Sequence, residues 1–567
     1  MDRRVLWAIA LMMVIAIAPT FFFKQPPKRP VAAAVADSGA RPTSATPDSL
    51  APPVESPSRP AAQSTGARPA SIQPASIQPA DTVVVGSALY RYAIATRGGA
   101  IVQASLEHYK NLAPGHKGET VLMLPDGAPI HQLAVSVGRD TLRLADWDFT
   151  PSVKALEVTR VDSLTLIATH GGVTAELTYH FQPDDYQIGV TGRFTGLGPV
   201  GGHLLIGMGS GFSQTEADSA GNVYTFGIVT KTDQSKSHPF SKLKAGESAT
   251  YEGPFEWAAI KSKYFVAALL TVDSGDAQIS GVTVQPLPGQ THISHAATTF
   301  GVPVPSAGSF AYRLYVGPME YPRLHAVGHD FYDINPYGWP GFRTLIRPIA
   351  VAARALLVWM HEHLGIAYGV VLILFGIMIR VALWPLNQKG MRASIRMQAL
   401  QPEMQRIQDK FKDDPGQLQK EVMQLYKREG VNPFSGCWPL LLPWPILLAL
   451  FFVLANTIEL RGQAFLWLPD LSLKDPLYIL PVLMGASMFA VNKVGMLGMP
   501  PNPQSKMMLY MLPVMMTVLF VNFASGLNLY YFIQNLVSVP QQWFLAQERL
   551  RAKAAAPAVV VSTKKKP

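Results

Sequence analysis

Along residues 82–318 apolar and polar positions alternate. Val173, Ala175, Leu177, Tyr179 and Phe181 interleave with Thr174, Glu176, Thr178 and His180. The same period returns at Tyr186, Ile188 and Val190 and at Phe310, Tyr312, Leu314 and Val316. A period of two puts every second side chain on one face, so these stretches predict strands with one buried side. Gly-rich turns such as Arg97-Gly98-Gly99 separate them, and no helical period intervenes. Residues 81–333 therefore read as a large antiparallel β-sandwich.

Either side of that block lie long apolar runs. Residues 5–23 carry no charge and follow Asp2-Arg3-Arg4, which predicts an uncleaved transmembrane anchor over residues 1–23. Residues 24–80 hold twelve prolines and no aromatic residue, so they cannot bury a core and read as a disordered linker. Residues 334–365 read as a junction and an interfacial amphipathic helix, with Arg347, Arg354 and His361 recurring every seven residues. Five spans follow, at about residues 366–386, 437–458, 476–492, 507–524 and 527–547. The fold class is a multi-domain membrane protein, with six transmembrane helices including the anchor and a β-sandwich.

Charge orients these elements. Residues 387–436 contain nine Lys or Arg and the tail after Gln547 contains six, whereas residues 459–475 contain Arg461 and Lys474. The positive-inside rule then places both termini, the loop and the basic tail (residues 548–567) in the cytoplasm, and the β domain outside it. Within the loop, Met397, Leu400, Met404, Ile407 and Phe411 form an apolar seam. Leu418, Val422 and Leu425 continue it after Asp413-Asp414-Pro415-Gly416. Residues 389–430 thus predict a helical hairpin, read equally as a docking arm or as a self-satisfied coiled coil.

Two polar features interrupt the apolar spans. Arg380 lies roughly 9 Å inside the first of the five at ~1.5 Å per residue, where a cation costs ~2.5–3.5 kcal/mol on insertion scales. Either its stem carries the charge to the interface or it faces a partner or a wet cavity. In the last span Asn528, Tyr531, Asn535, Ser538 and Gln542 form a stripe at intervals of three and four, and Asn456 and Asn522 add polar groups next to it. Helix-to-helix hydrogen bonding accounts for one or two such residues. The full stripe together with Arg380 points to a hydrophilic cavity open to the cytoplasm.

Composition narrows the chemistry. Hydrophobic residues make up 48% of the 567 and charged residues 15%, mean hydropathy is +0.16, and the formal net charge is +10. A single cysteine, Cys437, excludes an intramolecular disulfide and a multi-cysteine metal site. Asp184-Asp185 and His361-Glu362-His363 lack metalloprotease spacing, and Gly115-His116-Lys117-Gly118 lacks that of a phosphate loop. No catalytic residue, cofactor or metal is expected. A small-solute transporter or channel with a periplasmic sensor domain is the alternative, and it predicts a pore, or repeated halves with broken helices; the sequence shows no internal repeat. A carbohydrate-binding or carbohydrate-converting sandwich is a third reading, and it requires a cleft with paired carboxylates or histidines.

From Tyr337 onward the chain resembles the YidC/Oxa/Alb membrane protein insertases. IRVALWPL (379–386), LQPEMQRIQ (400–408), VNPFSGCWPLLL (431–442), DPLYILPVLMG (475–485) and SGLNLYY (525–531) carry the resemblance, in the family's order. The anchor, the linker and the β domain resemble the Gram-negative branch, through TRGGAIVQASLEHY (96–109) and PYGW (336–339). The resemblance implies an insertase and chaperone in the bacterial inner membrane, without enzymatic chemistry, with a positively charged groove closed toward the periplasm. It places Arg380 at the groove arginine and Tyr531 at a substrate-contacting tyrosine. Asn456, Asn522, Asn528, Asn535 and Ser538 complete the expected groove. The implied partners are nascent membrane proteins, the Sec translocon with its accessory subunits, membrane lipids and, weakly, the ribosome, with no specific nucleic-acid sequence.

Overall fold

A computed structural model of the chain describes residues 82–555, apart from 126, 139, 198–201, 273–277, 306–307, 336, 339–341, 413, 431–443 and 499–502. The expected anchor, the linker, the end of the basic tail and the start of the second core span lie outside the described residues.

Three sheets build the β domain. The largest has nine strands, with Ser309–Pro318 between Phe265–Leu270 and Gln187–Thr195, followed by Val173–Phe181 and Asp162–His170. Its outermost strands are Ser235–Pro239 on one side and the two-residue Thr150–Pro151 on the other. A six-stranded sheet runs from Ala249–Phe255 to Asp140–Arg143. The third, of five strands, contains one parallel pairing, Thr82–Gly86 with Ala155–Glu157. The alternation read from the sequence is the observed one: Ala175, Leu177, Tyr179 and Phe181 are buried while Glu176 and His180 are exposed. Cross-strand register brings Leu177, Gly192 and Phe310 into line. A Cβ on Gly192 would lie 2.1 Å from the Phe310 ring, so the glycine is what lets that ring lie flat on the sheet.

A polar chain runs through the core of this domain. Tyr179 donates to the Gly99 carbonyl at 2.7 Å, its oxygen accepts from His131 Nδ1 at 2.8 Å, and His131 Nε2 accepts from Tyr312 at 2.6 Å. The chain is complete only with a neutral imidazole, and burial pushes the His131 pKa down from 6.5 to about 3. Because the folded value lies below the unfolded one, this stabilisation is fully present above about pH 6.5. It should fall by about 1.4 kcal/mol per pH unit as the pH drops toward 3. His131→Gln should remove that slope from the pH dependence of urea unfolding between pH 6 and 4; an unchanged slope would assign it to other groups.

After a short helix, Tyr321–Val327, the chain becomes helical. We label α1 Arg343–Leu364, α2 Tyr368–Ala399, α3 Gln401–Lys410, α4 Pro415–Arg428, α5 Trp444–Asn456, α6 Ile479–Gly495, α7 Pro503–Phe520 and α8 Ser525–Ala555. By length and composition α1 and residues 368–385 are long and apolar enough to cross a membrane, and three shorter apolar helices lie within α5, α6 and α7. Asp414 caps α4 by accepting from the Gly416 and Gln417 amides, and Pro415 supplies a preset first turn. α3 and α4 pack together, with Arg428 bonded to Glu403 at 2.5 Å and Tyr426 on the Met404 sulfur.

A second apolar core gathers α1, α2, α5, α6 and α8 at the end nearest the β domain, through Val371, Leu372, Phe375, Ala449, Val453, Leu480, Met484 and Leu527. Every residue from Ser525 to Tyr530 is buried, whereas Tyr531 to Gln534 are only partly so. In α2 burial likewise gives way after Gly376. The bundle is tight at the β-domain end and loosens beyond it.

Candidate functional site

Arg380 sits twelve residues into α2, ~18 Å from its start at 1.5 Å per residue, just past the tight packing. The close approach of α2 to α8 depends on Gly376, where a Cβ would already lie 3.3 Å from Ile533 and 3.6 Å from Tyr530. On this face Gln534 donates to the Gly376 carbonyl at 2.7 Å and Gln541 to the Trp384 carbonyl at 3.3 Å. Arg380 lies midway between these two contacts. It is half-buried, and its buried Nε has no partner among the described residues.

The structure distributes the expected polar stripe among several neighbours. Asn528, fully buried, donates to the Phe520 carbonyl at 3.1 Å and so closes the end of α7. Tyr531 donates to the Leu447 carbonyl of α5 at 3.3 Å and meets Phe520 edge-on. Asn535 donates to the Ser487 hydroxyl and the Met484 carbonyl of α6 at 3.1 and 3.3 Å. The Ser538 hydroxyl donates to the Gln534 backbone carbonyl in its own helix, and the Asn456 amide donates likewise to the Phe452 carbonyl. Asn522 is exposed in the turn before α8. Tyr531, Asn535 and Ser538 therefore lie within two turns of Arg380's level, while Asn456, Asn522 and Asn528 belong to the β-domain end. Gln534 and Gln541 were missed by sequence reasoning. Their spacing of seven on the α2-facing side was the available signal.

Helix contact on the other side of α8 is equally close. A Cβ on Gly485 would lie 1.9 Å from the Thr517 hydroxyl and 3.3 Å from the Pro513 carbonyl. Gly485→Ala should push α6 from α7 and cost about 1–3 kcal/mol, read as a lower unfolding midpoint in detergent. Thr517→Ala should restore part of the loss, and no rescue would locate the clash elsewhere.

The end of the bundle beside the β domain is sealed by the loop between α5 and α6. Phe465 lies over Gly369 so closely that a Cβ there would be 2.2 Å from its ring. The Ser525 and Gly526 amides bond to the Leu473 and Leu471 carbonyls at 2.6 and 2.9 Å. Asp475, fully buried, accepts from the Leu480 amide at 2.7 Å and from the Trp467 indole at 3.2 Å.

The polar face of α1 turns to the β domain. Arg354, only 2% exposed, donates to the Met319 carbonyl at 2.9 Å, to Tyr337 at 3.1 Å and to both oxygens of Glu459 at 3.3 Å. Glu459 also accepts from the Tyr321 amide at 3.0 Å. Arg343 pairs with Asp333 and Ser235, and Arg347 with Asp330 and Asp333. His361 bonds to the Ile366 carbonyl and stacks on Tyr368, and His363 bonds to the Trp359 carbonyl. Among the described residues no His, Cys, Asp and Glu cluster is arranged to hold a metal.

Two family models match the chain, the 60Kd inner membrane protein over residues 359–553 and the YidC periplasmic domain over residues 82–352. The membrane protein insertase YidC of Syntrophus aciditrophicus is 30% identical over 484 residues, covering 82% of this chain and 85% of its own. That of Oleidesulfovibrio alaskensis is 30% identical over 478 residues, covering 82% and 86%. A solved structure of an active YidC insertase with its first transmembrane domain resolved is 17% identical, covers 82% of this chain and 93% of its own, and has a TM-score of 0.33. The chain belongs to the YidC family of membrane protein insertases, inner-membrane proteins with a periplasmic domain.

Proposed function

We propose that this chain inserts nascent inner-membrane proteins, and helps them fold, through a hydrophilic groove entered from the cytoplasm. Family membership carries the insertase reading. The observation that carries the groove is Arg380, a half-buried cation whose Nε has no partner among the described residues, at the level where helix packing loosens. Arg380, Tyr531, Asn535 and Ser538 line the groove, and Asn456, Asn522 and Asn528 stand at its closed end. The rival small-solute transporter lacks a comparable observation.

The mechanism needs no covalent step. Polar flanks of an arriving segment enter partway, which shortens the hydrocarbon path they cross. A carboxylate about 4 Å from Arg380 gains about 4 kcal/mol at an effective dielectric of 20. The substrate's apolar helix then slides along α2 and α8 into lipid. A membrane potential adds about 2.3 kcal/mol per charge per 100 mV on an acidic tail. In the proposed topology six spans include the anchor, both termini are cytoplasmic, and α1 lies on the outer leaflet. The α3–α4 hairpin and basic tail receive chains from the ribosome, and the Sec translocon shares some substrates.

The test is replacement of the native insertase by this chain in depleted cells, with insertion of a small membrane protein scored by protease protection. A photo-crosslinker replacing Tyr531 should capture the substrate in transit. Insertion no better than in depleted cells would overturn the insertase reading, and absence of crosslinks during active insertion would overturn the groove.

A further inference from the structure

The loop between α5 and α6 is tied to the β domain by an ion pair with buried side chains, beside the bond that Glu459 accepts from the Tyr321 amide. Arg461 and Glu216 are 4% and 6% exposed and face each other with Nε at 3.0 and 2.9 Å from the two carboxylate oxygens. The remaining guanidinium nitrogens donate to the Lys110 carbonyl at 2.9 Å and the Thr215 carbonyl at 3.0 Å. The Thr215 hydroxyl donates to Glu216 at 2.8 Å, and the guanidinium lies 5.5 Å from the Phe265 ring centre. Every bond from the arginine side chain goes to the β domain.

The same short stretch begins the seal. Leu471 bonds back to Gln463 at 2.9 Å, two residues beyond Arg461, and its own carbonyl holds the first turn of α8 through Gly526. Leu471, itself part of the loop, is fully buried. Each hydrogen bond in this path from Glu216 to the start of α8 is 3.0 Å or shorter. A charge-assisted pair in such a place is strong when both members are present, and losing one strands the other.

We propose that the periplasmic β domain holds the groove's periplasmic seal closed, with Arg461 and Glu216 as the clamp. The pair is a positioning element. It touches no substrate, and it keeps the 461–473 loop seated across α2 and α8 while the opposite end of the groove admits a chain. The inference rests on the groove and topology proposed above, yet its test requires no insertion. An insertion assay that fails while the clamp assay succeeds would overturn the insertase reading alone.

The experiment uses the full chain with Cys437→Ser, and Leu471→Cys as a buried reporter within the seal. Intact cells or spheroplasts are treated with a membrane-impermeant maleimide from the β-domain side. With the clamp intact, labelling should be slow. Arg461→Gln and, separately, the near-isosteric Glu216→Gln should each speed labelling at least about tenfold, as expected when a local opening becomes easier. Arg461→Lys, which keeps the charge and loses the fork, should lie between. A second reporter, Leu133→Cys in the β-domain core, should stay protected in all variants. Unchanged labelling of Leu471→Cys would overturn the clamp. Equal acceleration at both reporters would overturn it too, by showing that the pair only maintains the β domain's fold.

Discussion

Arg380→Ala should nearly abolish insertion of substrates whose translocated tail is acidic, while substrates with neutral tails lose far less. An attraction of about 2–4 kcal/mol between a guanidinium and a carboxylate in a partly desolvated groove corresponds to roughly thirty- to several-hundred-fold in insertion. The charge at position 380 belongs to no ion pair among the described residues, so its removal should cost the fold little. Protein level and unfolding midpoint should stay near those of the parent, which separates loss of function from loss of structure. Arg380→Lys should be milder, because a point charge still attracts a passing carboxylate without bidentate geometry. Normal insertion of acidic-tailed substrates by Arg380→Ala at normal abundance would remove Arg380 from the mechanism.

Glu459→Ala should cost about 3–5 kcal/mol of stability, more than Gly485→Ala. Its carboxylate is the only acidic partner of Arg354 among the described residues, and Arg354 is buried between α1, Tyr337 and the Met319 carbonyl. Removing the acid leaves a cation out of water with neutral acceptors alone. It also orphans the Tyr321 amide. Thermal unfolding in detergent should show the shift. The double variant Arg354→Met with Glu459→Ala should lose less than the sum of the two single changes, and a strictly additive result would mean the two side chains are not coupled.

Much of the β domain was legible because its physics is local. Alternation at Val173–Phe181 follows directly from strand geometry, and the buried and exposed sets fall as the pattern requires. The apolar helices were equally legible as apolar runs. The polar stripe of α8 is a different case. A spacing of three and four shows that Asn528, Tyr531 and Asn535 share a face, but each finds a different neighbour because three helices converge on that face. Which neighbour meets which residue is a matter of tertiary packing, and nothing in the spacing records it. Arg354 shows the same limit. Its seven-residue period with Arg347 marked a polar face, while the acceptors, Glu459 and the Met319 carbonyl, come from segments 105 and 35 residues away. Gln534 and Gln541 went unread because a glutamine bonded to a carbonyl looks, in sequence, like any surface glutamine.

The outer strands of the two larger sheets have a bearing on life outside the membrane. An unpaired strand edge invites another chain to add to it, and a sheet of nine strands offers long edges. Here one border is the two-residue strand Thr150–Pro151, and the other, Ser235–Pro239, carries Lys236, His238 and Pro239. One border of the six-stranded sheet is Asp140–Arg143, with a charged residue at each end of that strand. Such borders give an incoming strand few amides to pair with and oblige it to desolvate charges. Many copies crowded on one membrane can thus remain side by side without their sheets fusing into fibres.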